Sequence, residues 1–423
     1  MRFKEIPLAE IVDVYVDNRG KTCPVVEKEN SYKVLIATNC ITESLYPEKN
    51  KVRYVDKETY ENWFRSHPQP NDIIFVNKGT PGGTALVPEN IDFCIAQDMV
   101  ALRIKDDFDF KYVFAALRSD LVKKRIESMH VGTMIPHFKK GDFKLLTLPI
   151  PEEIKDQENI GKTHLNILKK IHVNNEIINK LEELAQTLFK RWFVDFEFPN
   201  EEGKPYKSSG GKMVESELGM IPEGWTVGTL ADVGEIVGGG TPSKKVPDYY
   251  SVSGISWLTP KDLSTNKSIF QYKGVNDISE LGLKKSSARL LPENTVLYSS
   301  RAPIGYTAIA GQKLATNQGF KSIIPFENYS SEYVYLLLKH LTAVIEANAG
   351  GSTFKEISAK GMKQIKTILP LHLIVKQYGR IVNSVFDGIK KAENENVTLK
   401  KLRDTLLPKL LLGKIDLKDV EIK

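Results

Sequence analysis

Counting in sevens from Ile160 gives Ile160, Ile167, Asn174, Leu181 and Leu188, and four residues beyond each lie His164, Ile171, Ile178, Ala185 and Trp192. This narrow two-position seam is the pattern of a helix that pairs with another helix. A second, weaker seam runs through Ile381, Gly388, Glu395 and Leu402, with Val385, Ala392, Leu399 and Leu406 four places on. Asn174 and Glu395 put a polar group in the middle of each seam, which favours one register. The spacing predicts two long helices that pair with each other; the alternative is that each lies flat on its own domain. The first, from Glu153 to Val194, would span on the order of 60 Å. Pro408 is expected to end or kink the second and Gly413 to cap it.

Outside the seams the pattern changes. "NDIIFV" (71–76) and "NTVLYSS" (294–300) are rich in β-branched and aromatic residues and predict strands. The segments 110–129 and 331–348 carry apolar residues at helical spacing, and "PGG", "GGGTPS" and "LPEN" mark turns. Trp192, Phe193 and Phe196 close the first long helix with apolar bulk, expected to bury against the second head or against a partner protein.

The chain also echoes itself. "NKGTPGGTALV" (77–87) and "SSRAPIGYTAI" (299–309) share a turn, and "YVF" (112–114) answers "YVY" (333–335). Gln97 answers Gln318, Asp195 answers Asp416, and the Leu-Pro pairs at 148–149 and 369–370 keep the same offset of about 221. An interval this long indicates duplication of a whole module rather than a solenoid repeat. The expected organisation is an α+β head at 1–150, a long helix at 151–199, a polar, glycine-rich linker at 200–224, a second α+β head at 225–370, a second long helix at 371–413 and a tail at 414–423. The fold class is α+β, a pseudo-twofold internal repeat in which two similar heads alternate with two helices forming an antiparallel coiled coil.

Composition narrows the function. The 423 residues are 41% hydrophobic and 26% charged, ordinary for globular material. Cys23, Cys40 and Cys94 are too few and too scattered for a disulfide framework, which fits a reducing compartment. "MRFKEIPLAE" has no signal-peptide pattern and no apolar stretch reaches membrane length, so a cytoplasmic protein without membrane contact is expected. The net charge is +6, and 225–370 carries 16 basic against 11 acidic residues where 1–149 carries 22 against 21. That permits nucleic acid as a partner and equally an ordinary basic surface. No phosphate loop, dinucleotide fingerprint, Cys-x-x-Cys pair or His-x-x-x-His pair is present. Nothing forms a convergent acid, base or nucleophile set, so no catalysis, metal or cofactor is expected of this chain.

A duplicated module with coil-forming helices is a homodimer fused into one polypeptide, and symmetric dimers read two DNA half-sites at a fixed spacing. Here the loops differ between copies while the framework repeats: "VYVDNRGKTCPVV" (14–26) stands where "IVGGGTPSKKVPDYY" (236–250) stands in the second. The motifs "LGMIPEGWTVGTLADV" (218–233), "GGGTPSK" (238–244), "SSRAPIG" (299–305), "ATNQGF" (315–320) and "LLPKLLLGKIDL" (406–417) then carry a specific resemblance. Over nearly its whole length the chain resembles the specificity (S) subunits of type I restriction–modification systems. The resemblance implies two target-recognition domains, each reading half of a split, asymmetric double-stranded DNA sequence. It implies a helical pair that fixes the gap and docks methyltransferase (M) subunits, two being expected. S-adenosylmethionine would sit on those partners, and ATP and Mg on restriction (R) subunits where present, while this chain stays non-catalytic. A structural adaptor that binds no DNA is the rival from another class.

Candidate DNA contacts in the second head are Arg301 with Ser299 and Ser300, which suit guanine or phosphate. Lys244, Lys245, Lys261 and Lys321 are candidate phosphate contacts. Gln318 would contact a base or, as its echo in Gln97 suggests, hold the framework. Lys78 and Thr80 occupy the matching loop of the first head, with Arg19 and Lys21 in "DNRGKT". The bland alternatives are a surface ion pair for Arg301 and plain solvation for the lysines. The coil interface is assigned to Ile167, Ile171, Ile178, Leu181, Leu188, Val385, Leu399, Leu402 and Leu406.

Overall fold

The structure, a computed structural model, describes residues 1–18, 21–129, 137–351 and 355–415. It divides into two compact units: one formed by Met1–Asn174 with the C-terminal stretch from Asn396, the other by Asn175–Glu395.

In the first unit a four-stranded antiparallel sheet runs in the order Val12–Val16, Met99–Ile104, Ile73–Val76, Thr84–Leu86. A three-stranded sheet centres on Lys33–Ile36, which pairs antiparallel with Arg53–Val55 and parallel with Phe93–Ile95. Phe3–Pro7 pairs with Thr147–Pro151 and brings the two ends of the head together. Ile73–Val76 is buried on both faces, which explains its uninterrupted apolar run.

The second unit repeats the strand order of this plan. Gly234–Gly238, Lys321–Pro325, Val296–Ser300 and Ile304–Ala310 give the same antiparallel order, with Phe270–Gln271 added in parallel at the edge. Ile255–Leu258 again pairs antiparallel on one side, with Asn276–Ile278, and parallel on the other, with Ala315–Thr316. Thr226–Thr229 and Lys366–Leu369 close the ends. The head helices match too: Asp109 caps Phe110–Leu117 through the Tyr112 N–H, and Ser330 caps Ser331–Ala347 through the Tyr333 N–H.

The long helices are Ile154–Phe189 and His372–Leu411. In the first unit Ile160, Leu165 and Leu168 share a core with Leu407, Leu410 and Leu411. In the second, Ala185 and Phe189 share one with Tyr378, Val382 and Val385. The pairing is antiparallel within each unit: the Asn174 amide donates to Asn396 Oδ1 (3.1 Å), and a side chain on Gly388 would meet Leu181 at 3.0 Å. Gly161 lets the first helix pass close to the head, because a Cβ there would lie 2.5 Å from the Tyr112 nitrogen.

Four expectations need correction. The second seam keeps Val385, Gly388, Ala392, Leu399 and Leu406, but Ile381, Glu395 and Leu402 are exposed while Val382 and Asn396 beside two of them are buried. Ile381 and Leu402 are 44% and 47% exposed, and Leu402 is removed from the interface. The cause is that the helix faces both its partner helix and a head, so its buried stripe is wider than a coiled-coil seam and centres elsewhere. For the same reason the buried polar residue in the middle of the second helix is Asn396, which Asn174 meets, and the expected Glu395 is exposed.

Pro408 does not end the helix. It lies in the last turn, where only one ladder bond is lost, and the helix continues to Leu411. The Gly413 N–H then bonds Leu410 O (3.1 Å) and the Lys414 N–H bonds Lys409 O (2.9 Å), with Gly413 at φ 63°, the geometry of a Schellman cap. Finally, 200–224 is more than a linker. Met213–Ser216 and Gly219–Pro222 form a hairpin, Ile221 is buried, and Phe198 stacks on Tyr206 and Trp225 at 4.6 and 5.1 Å. Alternating apolar residues and the turn glycine Gly219 (φ 94°) carry that local structure through a polar composition.

Trp192, Phe193 and Phe196 bury in the core of the second unit, Phe193 lying 5.0 Å from Tyr333 and 4.9 Å from Tyr378. Among the described residues no helix is long and apolar enough to cross a membrane, and no group of three His, Cys, Asp or Glu could hold a metal.

Candidate functional site

In the second unit three stretches far apart in sequence meet. The glycines of "GGGTPSK" approach the backbone of "ATNQGF": the Gly240 N–H bonds Thr316 O (2.9 Å), and a Cβ on Gly239 or Gly240 would fall onto neighbouring backbone. Thr241 then donates to the Gln318 side chain, and the Trp257 indole N–H bonds Gly240 O (3.0 Å). "SSRAPIG" joins from the other side, where the Ser300 N–H bonds Gly319 O (2.7 Å). The loop carrying Lys244 and Lys245 is fixed at its base, the Tyr250 hydroxyl donating to Pro242 O (2.8 Å).

This frame places the candidate residues unequally. Ser299 and Ser300 are fully buried. Ser299 Oγ donates to Pro303 O (2.8 Å) and accepts from the Tyr306 N–H (2.8 Å), and Ser300 Oγ donates to Gly319 O (3.1 Å). Both serines are therefore corrected from DNA contacts to framework: their strand is buried throughout and their hydroxyls are spent inside it. Lys321 is also largely enclosed, its side chain 12% exposed and its ammonium donating to Ser300 Oγ (3.3 Å), Gln318 O (3.3 Å) and Glu356 (3.4 Å). Gln318 remains exposed while accepting from Thr241, so its carbonyl serves the frame.

Arg301 stays at the surface and pairs with Glu356, Nη1 to Oε2 at 3.2 Å. Sequence reading passed over Glu356. No motif marks it, and only a backbone bridge between Arg301 and Glu356 brings it there. Lys244, Lys245 and Lys261 are exposed, and among the described residues none enters an ion pair. These three and Arg301 are thus among the cations that the second head presents to solvent.

The first head builds the same junction from different side chains. The Phe138 N–H bonds Asn77 O (2.7 Å), as the Ile357 N–H bonds Ser300 O (3.1 Å) in the second. Lys78 and His137 form the backbone bridge that Arg301 and Glu356 form there. Lys21, Lys78 and Thr80 are exposed; Arg19 lies outside the described residues. Arg118 is not a surface cation. Its guanidinium donates to Ser44 O (3.0 Å) and pairs with Glu43, so it holds the 43–44 turn.

A family model described as "Type I restriction modification DNA specificity domain" matches residues 2–183 and again 222–399. A type I restriction enzyme specificity subunit of Methanocaldococcus jannaschii, MjaIX, is 38% identical over 190 residues, 44% of this chain and 44% of that protein. The chain thus matches less than half the length of that relative. The HindI specificity subunit of Haemophilus influenzae is 26% identical over 344 residues, 69% of this chain and 74% of that one. Among solved structures, the S subunit of a type I system from M. genitalium superposes with a TM-score of 0.59 at 17% identity, covering 97% and 96% of the two chains, which shows the shared fold.

Proposed function

The chain belongs to the type I restriction–modification DNA specificity family, and from that membership we propose that it supplies the address of a methyltransferase complex without catalysing the reaction. Each head contacts one half of a bipartite, asymmetric target in duplex DNA. The helical pair sets the gap between the halves and docks two methyltransferase subunits. S-adenosylmethionine is held by those partners, and any restriction subunit adds ATP- and Mg-dependent cleavage.

One observation carries this reading. A single framework occurs twice in the chain, with Lys78 at the bridge of one head and Arg301 at the bridge of the other. A repeated scaffold with unlike side chains at matching loop positions is what reading two unlike half-sites requires. Basic residues around the second frame supply phosphate contacts, which position the protein, while Arg301 is suited to a base edge.

The test is to assemble the chain with its methyltransferase partner and map methylated adenines by long-read sequencing. The expected result is one split motif. Arg301→Ala should relax or weaken one half only, and adding whole helical turns to both long helices should lengthen the gap. Duplex binding must also weaken with salt. An adaptor that binds no DNA would give neither salt dependence nor a motif.

A further inference from the structure

We propose that Glu356 is a specificity-determining residue of the second head, a built-in competitor that occupies Arg301 until the correct bases displace it. The proposal rests on the DNA-reading role above and deepens it.

Glu356 is placed rather than incidental. Its backbone bridges Arg301 and Gly350, and the next residue, Ile357, is buried with its N–H bonded to Ser300 O. The carboxylate therefore sits at an anchored backbone bridge, with Oε2 3.2 Å from Arg301 and Oε1 3.4 Å from the Lys321 ammonium. The two cations differ in what they can do. Lys321 is enclosed and has two further acceptors, so it serves to hold Glu356. The Arg301 side chain is 37% exposed, and Glu356 is its one ion-pair partner among the described residues.

A phosphate that takes Arg301 exchanges one anion for another and gains little. A guanine edge offers O6 and N7 to the two-pronged guanidinium and gains geometry the carboxylate does not supply here. Breaking the pair costs the same for either ligand, but the released Glu356 carboxylate stays beside Arg301, where it repels a charged phosphate and not a neutral guanine edge, and specificity is that difference. The first head has His137 at the matching bridge, so the effect is confined to one half-site.

The experiment uses the assembled methyltransferase complex and two duplexes, one with the mapped target and one without it. Glu356→Gln should tighten binding to the targetless duplex about two- to fivefold, steepen its salt dependence, and relax methylation at the second head's half-site alone. Glu356→Asp, which keeps the charge, should restore discrimination. A brace that merely supported the loop would weaken binding to both duplexes, so targetless binding that weakens or stays unchanged in Glu356→Gln overturns the proposal. If the wild-type complex binds neither duplex in a salt-dependent way, the DNA-reading role itself falls, and this inference with it.

Discussion

Asn174 and Asn396, 222 positions apart and both buried, meet side chain to side chain, the Asn174 amide donating to the Asn396 carbonyl oxygen at 3.1 Å. Each is a buried polar residue near the middle of its long helix. Removing either side chain breaks the hydrogen bond they share, and comparing both single variants with the double isolates that shared energy. Asn174→Leu and Asn396→Leu should each cost about 1–3 kcal/mol, and the double variant should cost less than their sum. Urea unfolding of the full chain measures this as a double-mutant cycle, and additive effects would show that the pair is not coupled.

Glu393 lies buried on the second long helix, accepting the Ile269 and Phe270 N–H groups at 2.6 and 3.1 Å. Burial pushes its carboxyl up to about 7, the nearby Glu182 adding to the rise and the two backbone bonds opposing it. A carboxyl whose folded value lies above its unfolded one stabilises most when protonated. Its contribution is full below the ordinary value of 4.5 and is lost as pH climbs through about 7. Glu393→Gln should remove this dependence and flatten the stability profile between pH 5 and 8, while its amide can accept only one of the two backbone N–H groups. Thermal unfolding between pH 5 and 8 checks it, and parallel curves for both proteins would refute it.

Ser300 and Lys244 separate framework from contact. Ser300→Ala loses a buried hydroxyl bond and should cost about 1 kcal/mol of stability while leaving the salt dependence of DNA binding unchanged. Lys244→Ala should leave stability unchanged and lower the salt slope by about 0.9 if it meets one phosphate. Binding titrations at several salt concentrations, beside unfolding curves, distinguish the two, and the reverse result would invert the assignment.

Much of the architecture was legible in the chain. The echo of "YVF" in "YVY" marks two tyrosines that occupy the same position in two copies of one head, and the first seam from Ile160 to Trp192 follows the buried face of its helix. The second seam was misread at Ile381, Glu395 and Leu402, the first and last of which are apolar yet face water. Periodicity finds an apolar stripe but not which neighbours widen it. The site was less legible. Ser299 and Ser300 looked exposed because they precede a turn, whereas burial of a strand end depends on what covers it. Glu356 was invisible because it reaches Arg301 through a backbone pairing 55 residues distant. The hairpin inside 200–224 was hidden by a composition that usually marks loose chain.

The first unit closes its core with Leu407, Leu410 and Leu411, from the far end of the polypeptide. The second unit is one uninterrupted stretch from Asn175 to Glu395. On the ribosome, then, the half made first cannot finish folding first. It must wait, with part of its apolar surface uncovered, until the last helix emerges, while the half made later is already complete.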